Sequence, residues 1–261
     1  MDPYDHQLKV YDLLATGKNV ILRAPTGAGK TQASIYPFLA AMDITSDIYG
    51  KLPRKCIYSV PMRVLAKQFH VEYKKSIQRY NTKYSLDIET AIQTGDMPED
   101  RELTRDLIFA TIDQTLSSFL MSPYGLSRGR ANLNLGAVLS SYLVFDEFHL
   151  YSPDSTLPTV LQMLRLLNGI TPFVLMTATF SDALIHRLAD TLNAEVVGLS
   201  AKDRESFADL QSQQKTRRYH ASTAPLTPQH VLDVHEKRSI VIFNTVNRAR
   251  MMYQQLTTQA E

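Results

Sequence analysis

Apolar and polar positions alternate along this chain in two distinct rhythms. Short, mostly apolar runs at Asn19–Ala24, Lys55–Val60, Leu107–Ile112, Tyr142–Phe145 and Phe173–Met176 predict strands buried on both faces. Ile88–Gln93 and Val196–Leu199 continue the series, and Ser239–Phe243 adds a further strand near the end. The second of these runs stops at Pro61, which has no N–H to give a ladder. Between the runs lie stretches with helical spacing: Lys30–Met42, Met62–Tyr80, Gln114–Met121, Ser155–Asn168, Asp182–Asn193 and Val246 to about Thr257. In the longest of them Leu65, Phe69, Tyr73 and Ile77 recur every fourth residue, which predicts one buried face. Strands alternating with helices predict an α/β fold with a mostly parallel sheet and helices on both faces. In such a sheet ligands bind outside the carboxyl ends of the strands.

Composition changes this picture in one region. From Ser200 to about Thr216 the residues are mainly Lys, Asp, Arg, Glu, Ser and Gln, which predicts a linker or mobile connection. The expected organisation is therefore a first lobe over 1–199, a linker over 200–216 and the beginning of a second lobe over 217–261. One strand and two helices cannot bury a core of their own, and a complete second lobe would need roughly another hundred residues.

Across all 261 residues, 44% hydrophobic and 21% charged content is ordinary for a soluble globular protein. The lone cysteine, Cys56, excludes an internal disulfide and any paired-cysteine metal site, and it points to a reducing, cytoplasmic compartment. A polar, acidic start (Met1 to His6) is unlike a signal peptide, and no apolar run approaches a membrane span, so no membrane partner is expected. A formal net charge of +2 leaves nucleic-acid binding open, because a local basic face can sit on a nearly neutral chain.

Chemistry enters after the first strand. Ala24-Pro25-Thr26-Gly27-Ala28-Gly29-Lys30-Thr31 follows a strand and opens a helix, as a phosphate-binding loop does. Gly27 and Gly29 let the backbone curl so that amides of the loop, including Thr26 and Ala28, meet phosphate oxygens, and the helix N-terminus adds partial positive charge. Lys30 can neutralise the β and γ phosphates, and Thr31 can offer its hydroxyl to Mg²⁺. The expected ligands are ATP and Mg²⁺. A second apolar strand ends in Asp146-Glu147-Phe148-His149. Asp146 is placed to hold the metal and Glu147 to orient and deprotonate a water.

These motifs together resemble superfamily 2 helicases over nearly the whole chain. Thr177-Ala178-Thr179 resembles the motif that couples ATP state to strand movement, with His149 and Thr179 in coupling roles beside Thr177. Pro61–Leu65, Thr94-Gly95 and Ala110–Thr115 resemble the nucleic-acid-facing motifs of the first lobe, which implies contacts from Arg63, Thr94, Gly95, Thr111 and Gln114. Gln7 stands where such helicases read adenine, and Ile242–Thr245 resembles the first motif of the second lobe. The resemblance implies a RecA-like lobe followed by the start of another.

Within the superfamily, Leu22–Thr31 and Phe145–Tyr151 look most like the CRISPR-associated helicases of type I systems, in the I-D or cyanobacterial branch without a fused nuclease. That likeness implies ATP-driven 3′-to-5′ movement on single-stranded DNA, with a CRISPR effector complex as partner. The alternatives are an RNA helicase of the DEAD or DEAH class and a nucleotide-binding module without a motor. The late second-lobe motif that carries an arginine finger is absent, and Arg248 and Arg250 do not match it. A finger contributes about 10³–10⁵ in rate, so these residues alone are expected to bind ATP and hydrolyse it feebly.

Two surface features admit plainer readings. Arg63, Lys67, His70 and Lys74 form a stripe expected to turn away from the Leu65–Ile77 face, and such a stripe is commonly just a solvated helix side. Tyr124 can stack a base, or be an ordinary surface tyrosine in a turn.

Overall fold

The apolar runs pair side by side into one seven-stranded sheet in the computed structural model, which describes residues 3–208, 221–235 and 237–260. The strands are β1 (Asn19–Arg23), β2 (Cys56–Val60), β3 (Thr90–Gln93), β4 (Leu107–Thr111), β5 (Tyr142–Phe145), β6 (Phe173–Thr177) and β7 (Ala194–Val197). Their order is β3-β4-β2-β5-β6-β1-β7, and every neighbouring pair is parallel. All seven carboxyl ends therefore share one rim.

Helices cover both faces, as the period-2 alternation of side chains requires. Val20, Leu22, Tyr58, Phe109, Val144 and Met176 point to one face and pack under α1 (Asp5–Ala15), α2 (Lys30–Met42) and α3 (Arg63–Tyr84). Ile21, Ile57, Ile108, Leu143, Phe145 and Leu175 point to the other. There they meet α4 (Ile112–Phe119), α5 (Ala131–Leu139), α6 (Thr156–Leu166) and α7 (Asp182–Leu192). Among the described residues no helix is long and apolar enough to cross a membrane.

Several expectations need correction. The helices α1 and α5 were not among the elements expected from periodicity. The segment 201–208, expected inside a linker, forms a further helix, α8 (Ala201–Ala208), whose Phe207 joins the core under α1. Its polar sequence hid this, because the residue that anchors it, Asp203, is itself polar. The remainder of the expected linker, 209–216, lies outside the described residues. The last strand of the sheet begins at Ala194, two residues before the expected Val196.

Ser239–Phe243 is not a strand. Ile240 and Ile242 are 88% and 85% exposed, and no described segment pairs with them. An apolar run cannot hold strand form without a neighbour to receive its backbone bonds. The chain divides into two compact units, Met1–Gln213 and Gln214–Glu261. In the second, α9 (Pro228–Asp233) packs on α10 (Val246–Ala260).

The polar stripe on α3 is also corrected at one position. His70 is buried, 6% exposed, and its ring lies 6.2 Å from that of Phe109. On α3, Ala66, His70 and Ile77 are buried and Leu65, Phe69 and Tyr73 pack half-buried beside them, so the expected apolar face lies on the core and His70 joins it.

Leu175 is fully buried in a central strand between β5 and β1. Truncating such a leucine removes transfer energy and leaves a cavity. Leu175→Ala should lower unfolding stability by about 2–5 kcal/mol, read as a lower urea midpoint; an unchanged midpoint would contradict the placement of this strand in the core.

Candidate nucleotide-binding site

The three strands β5, β6 and β1 lie side by side, so their ends deliver three motifs to one stretch of the rim. The loop after β1 starts pinned: the Ala24 N–H donates to the Thr177 carbonyl at the end of β6, at 3.1 Å. It then curls through Gly27 (φ 84°) and Gly29 (φ 74°), both in the left-handed region that glycine reaches at little cost. Gly29 is the N-cap of α2 and Lys30 its first residue. The Lys30 side chain is buried; its Nζ donates to the Pro25 carbonyl at 3.3 Å and lies 3.6 Å from Glu147 Oε1. Thr26 is exposed on the outside of the loop, and Ala28 is buried.

Asp146 follows β5 and is almost fully buried. Its N–H donates to the Ser59 carbonyl at 2.9 Å, which fixes the backbone. Each carboxylate oxygen has a donor: Oδ1 accepts from the Glu147 N–H at 2.8 Å and Oδ2 from the Tyr58 hydroxyl at 2.7 Å. Burial pushes the Asp146 carboxyl above its ordinary value; the Tyr58 bond opposes this, the Glu147 charge adds to it, and the Glu147 N–H and Lys30 pull it back. Tyr58 is displaced upward too, first by burial and then by the Asp146 charge, with the nearby Thr31 hydroxyl pulling the other way. The Tyr58 phenol is thus bonded to Asp146 across the neighbouring strand ends. Sequence reasoning missed it because an aromatic residue inside a buried strand reads as core.

Glu147 has a positive φ of 45°, a conformation rare for residues other than glycine. Such strain persists only where the surroundings enforce it, and it recurs at functional sites. Glu147 Oε2 lies 3.4 Å from His149 Nδ1, and the same nitrogen lies 3.4 Å from Thr177 Oγ1. A continuous polar chain therefore runs from Lys30 through Glu147 and His149 to Thr177. Thr179 sits beyond the strand end and is exposed.

The donor set fits Mg²⁺, which takes oxygen ligands and normally keeps only one or two protein carboxylates beside phosphate and water. Thr31 supplies a hydroxyl and Asp146 a carboxylate, the latter bonded to Tyr58. Among the described residues no group of three or more His, Cys, Asp or Glu side chains could hold a metal unaided.

On the other side of the loop, Gln7 Nε2 donates to the Gly29 carbonyl at 3.2 Å, and its Oε1 accepts from the Tyr4 N–H at 3.0 Å. A cavity of about 750 Å³ opens there, lined by Tyr4, Gln7, Tyr11, Gly29, Gln32 and Tyr36 among others.

The residues expected to face nucleic acid divide into two groups. Arg63, Thr94 and Gly95 come together: a Cβ on Gly95 would lie 3.1 Å from the Arg63 guanidinium, and Arg63 Nε is 3.9 Å from Asp96 Oδ1, to which the Thr94 hydroxyl donates at 2.8 Å. Thr111 ends β4 and Gln114 lies in the first turn of α4; both are buried, and Gln114 Oε1 accepts from Gln93 Nε2 at 3.2 Å.

Comparison with known proteins agrees with this geometry. A model of the DEAD/DEAH box helicase family matches residues 4–188. The ATP-dependent DNA helicase Hel308 of Thermoplasma volcanium is 27% identical over 197 residues, 74% of this chain and 25% of that protein. The CRISPR-associated helicase Cas3 of Thermoproteus tenax is 26% identical over 266 residues, 96% of this chain and 43% of that protein. The chain thus spans between a quarter and a half of the length of these relatives. In fold it resembles the DUF1998 helicase MrfA bound to DNA and AMPPNP (TM-score 0.57, 17% identity, 76% of this chain and 27% of that one). It also resembles the DEAD-box helicase Mss116 bound to ssRNA and UDP-BeF (TM-score 0.52, 20% identity, 76% and 40%). With more than half of its residues matched by the family model and its motifs gathered at one sheet rim, the chain belongs to the DEAD/DEAH box helicases.

Proposed function

We propose that this chain binds and hydrolyses ATP as the first RecA-like lobe, residues 1–199, of a helicase that moves along single-stranded DNA in type I CRISPR interference. Residues 217–261 begin the second lobe. The observation that carries the reading is the convergence of Lys30, Glu147, His149 and Thr177 into one polar chain across β1, β5 and β6.

In this reading the curled backbone from Thr26 to Gly29 receives the phosphates on its amides. Lys30 leaves Glu147 for the β and γ oxygens. Gln7 and the cavity beside it receive the adenine. Thr31 and Asp146 would hold Mg²⁺, which would neutralise phosphate charge when bound. Tyr58 holds the Asp146 carboxylate in place. Glu147, released from Lys30, accepts a proton from the attacking water, and His149 holds its other oxygen. Thr177, bonded through the same histidine, carries the change at the phosphate to the end of β6, with Thr179 beyond it.

Arg63, Thr94 and Gly95 offer a guanidinium, a hydroxyl and backbone amides at the rim, suited to gripping phosphates without reading bases. Thr111 and Gln114 support that rim from within and reach a strand only through their backbone or after rearrangement. The names of the relatives, a DNA helicase and a CRISPR helicase, support DNA as the track and an effector complex as partner in antiviral defence. The buried thiol of Cys56 suits the reducing cytoplasm where such a complex works.

Lys30→Ala should weaken ATP affinity roughly ten- to a hundredfold, as expected for losing a charge-assisted contact; calorimetry giving unaltered affinity would remove Lys30 from the site. Glu147→Gln should keep affinity while slowing turnover by about 10²–10⁴, and a variant hydrolysing at the parent rate would end its role as base. Single-stranded DNA should stimulate ATP turnover more than RNA of equal length and sequence, in a manner that fades with salt. The reverse preference would favour an RNA helicase.

A further inference from the structure

His6 lies on the first turn of α1, beside the proposed adenine contact, and is only 1% exposed. Its ring spans two buried partners. Nε2 lies 3.0 Å from the carbonyl of Ala28 in the phosphate loop, and Nδ1 lies 3.1 Å from Asp203 Oδ2 on α8. A carbonyl and a carboxylate are acceptors, so each ring nitrogen faces an acceptor.

Asp203 is itself gathered by donors. Its Oδ2 accepts the backbone N–H groups of His6 and Ser200, each at 3.1 Å, and its Oδ1 accepts that of Asp5 at 3.0 Å. Burial opposes ionisation of this carboxyl, but the Ser200 N–H, the His6 ring and the amides of Asp5 and His6 together hold it below the ordinary carboxylate value. The arrangement fastens α8 to the start of α1 and, through the ring, to the phosphate loop.

Peptide geometry gives this contact a consequence. In a planar trans peptide the carbonyl and the following N–H point in opposite directions. The Ala28 carbonyl, turned to His6, sends the Gly29 N–H the other way. The Gly29 carbonyl, turned to Gln7 at 3.2 Å, does the same for the Lys30 N–H. Two successive side chains of α1 therefore hold two successive peptides of the loop.

We propose that His6, braced by Asp203, is a positioning residue of the phosphate loop, fixing the peptide between Ala28 and Gly29 so that its amide is ready for a phosphate oxygen. This rests on the reading that the loop binds a triphosphate. The brace lowers the ordering cost of binding for phosphates and leaves the base contacts alone.

The test uses the 261-residue chain. Affinities for Mg²⁺–ATP and for AMP are measured by calorimetry on the parent, His6→Phe, Asp203→Asn and Lys30→Ala, with folding followed by circular dichroism. His6→Phe and Asp203→Asn should weaken ATP roughly five- to thirtyfold and leave AMP affinity unchanged, a split that general damage to the fold would not produce. In long-range ¹H–¹⁵N spectra of the parent, both ring nitrogens of His6 should carry protons and shift when a non-hydrolysable ATP analogue is added. Parent-like ATP affinity in both variants, or a bare ring nitrogen, would overturn the role of His6. Should the variants fail to fold, the spectra of the parent decide alone. A parent that does not bind ATP, or a Lys30→Ala chain that binds it equally well, would instead overturn the nucleotide reading.

Discussion

Parallel pairing is the constraint on which everything else in this molecule depends. Because all the strands run the same way, each ends on one rim, and the order β5-β6-β1 sets the carboxylates of Asp146 and Glu147, the hydroxyl of Thr177 and the loop around Lys30 side by side. Residues more than a hundred positions apart thus come within salt-bridge distance, as Lys30 and Glu147 do. Parallel strands also need crossovers, and the crossover helices supply the two covering layers. The central strands have apolar residues on both faces for this reason, and their buried surface fixes the rim more firmly than loop contacts could.

On that firm base the site keeps polar groups where burial penalises them. Asp146 is buried at the end of a wholly apolar strand, yet neither of its oxygens lacks a donor. A buried carboxylate without such partners would cost several kcal/mol. Tyr58 supplies one of the two donors from the adjacent strand, and a side chain without a hydroxyl there would leave Oδ2 bare. The same principle governs His6 and Asp203 on the far side of the loop: buried polar groups are tolerated because each is bonded, and being bonded makes them rigid.

The sequence disclosed most of this where the physics is local. Strand runs such as Tyr142–Phe145 and Leu107–Thr111 were legible because burial on both faces demands continuous apolarity, and the curl before α2 because its left-handed positions, Gly27 and Gly29, favour glycine. Ser239–Phe243 carried the same apolar pattern, but pairing is a property of neighbours and the pattern says nothing about them. The helix α8 escaped because its anchor is a network of polar bonds with no hydrophobic period. His70 was misplaced by a single position around a helix, since a histidine among lysines looks solvated until its ring is found against Phe109. Tyr58 was hidden for the opposite reason, as a polar tip on a residue that otherwise behaves as core.

The Lys30–Glu147 contact in the polar chain across the rim need not lock the site. Two unit charges about 4 Å apart attract by on the order of 4 kcal/mol at a protein-surface dielectric, and the desolvation of both groups takes back much of that. A triphosphate brings several negative charges to the same ammonium, so under the proposed mechanism it wins Lys30 from Glu147 outright. The carboxylate then keeps only His149, which is bonded in turn to Thr177. Occupancy of the loop after β1 would thereby alter the hydrogen bonding at the end of β6 through two side chains rather than through any movement of the sheet. A rigid sheet with a switchable rim would suit the proposed motor role, since the core that holds the geometry need not be disturbed in each cycle.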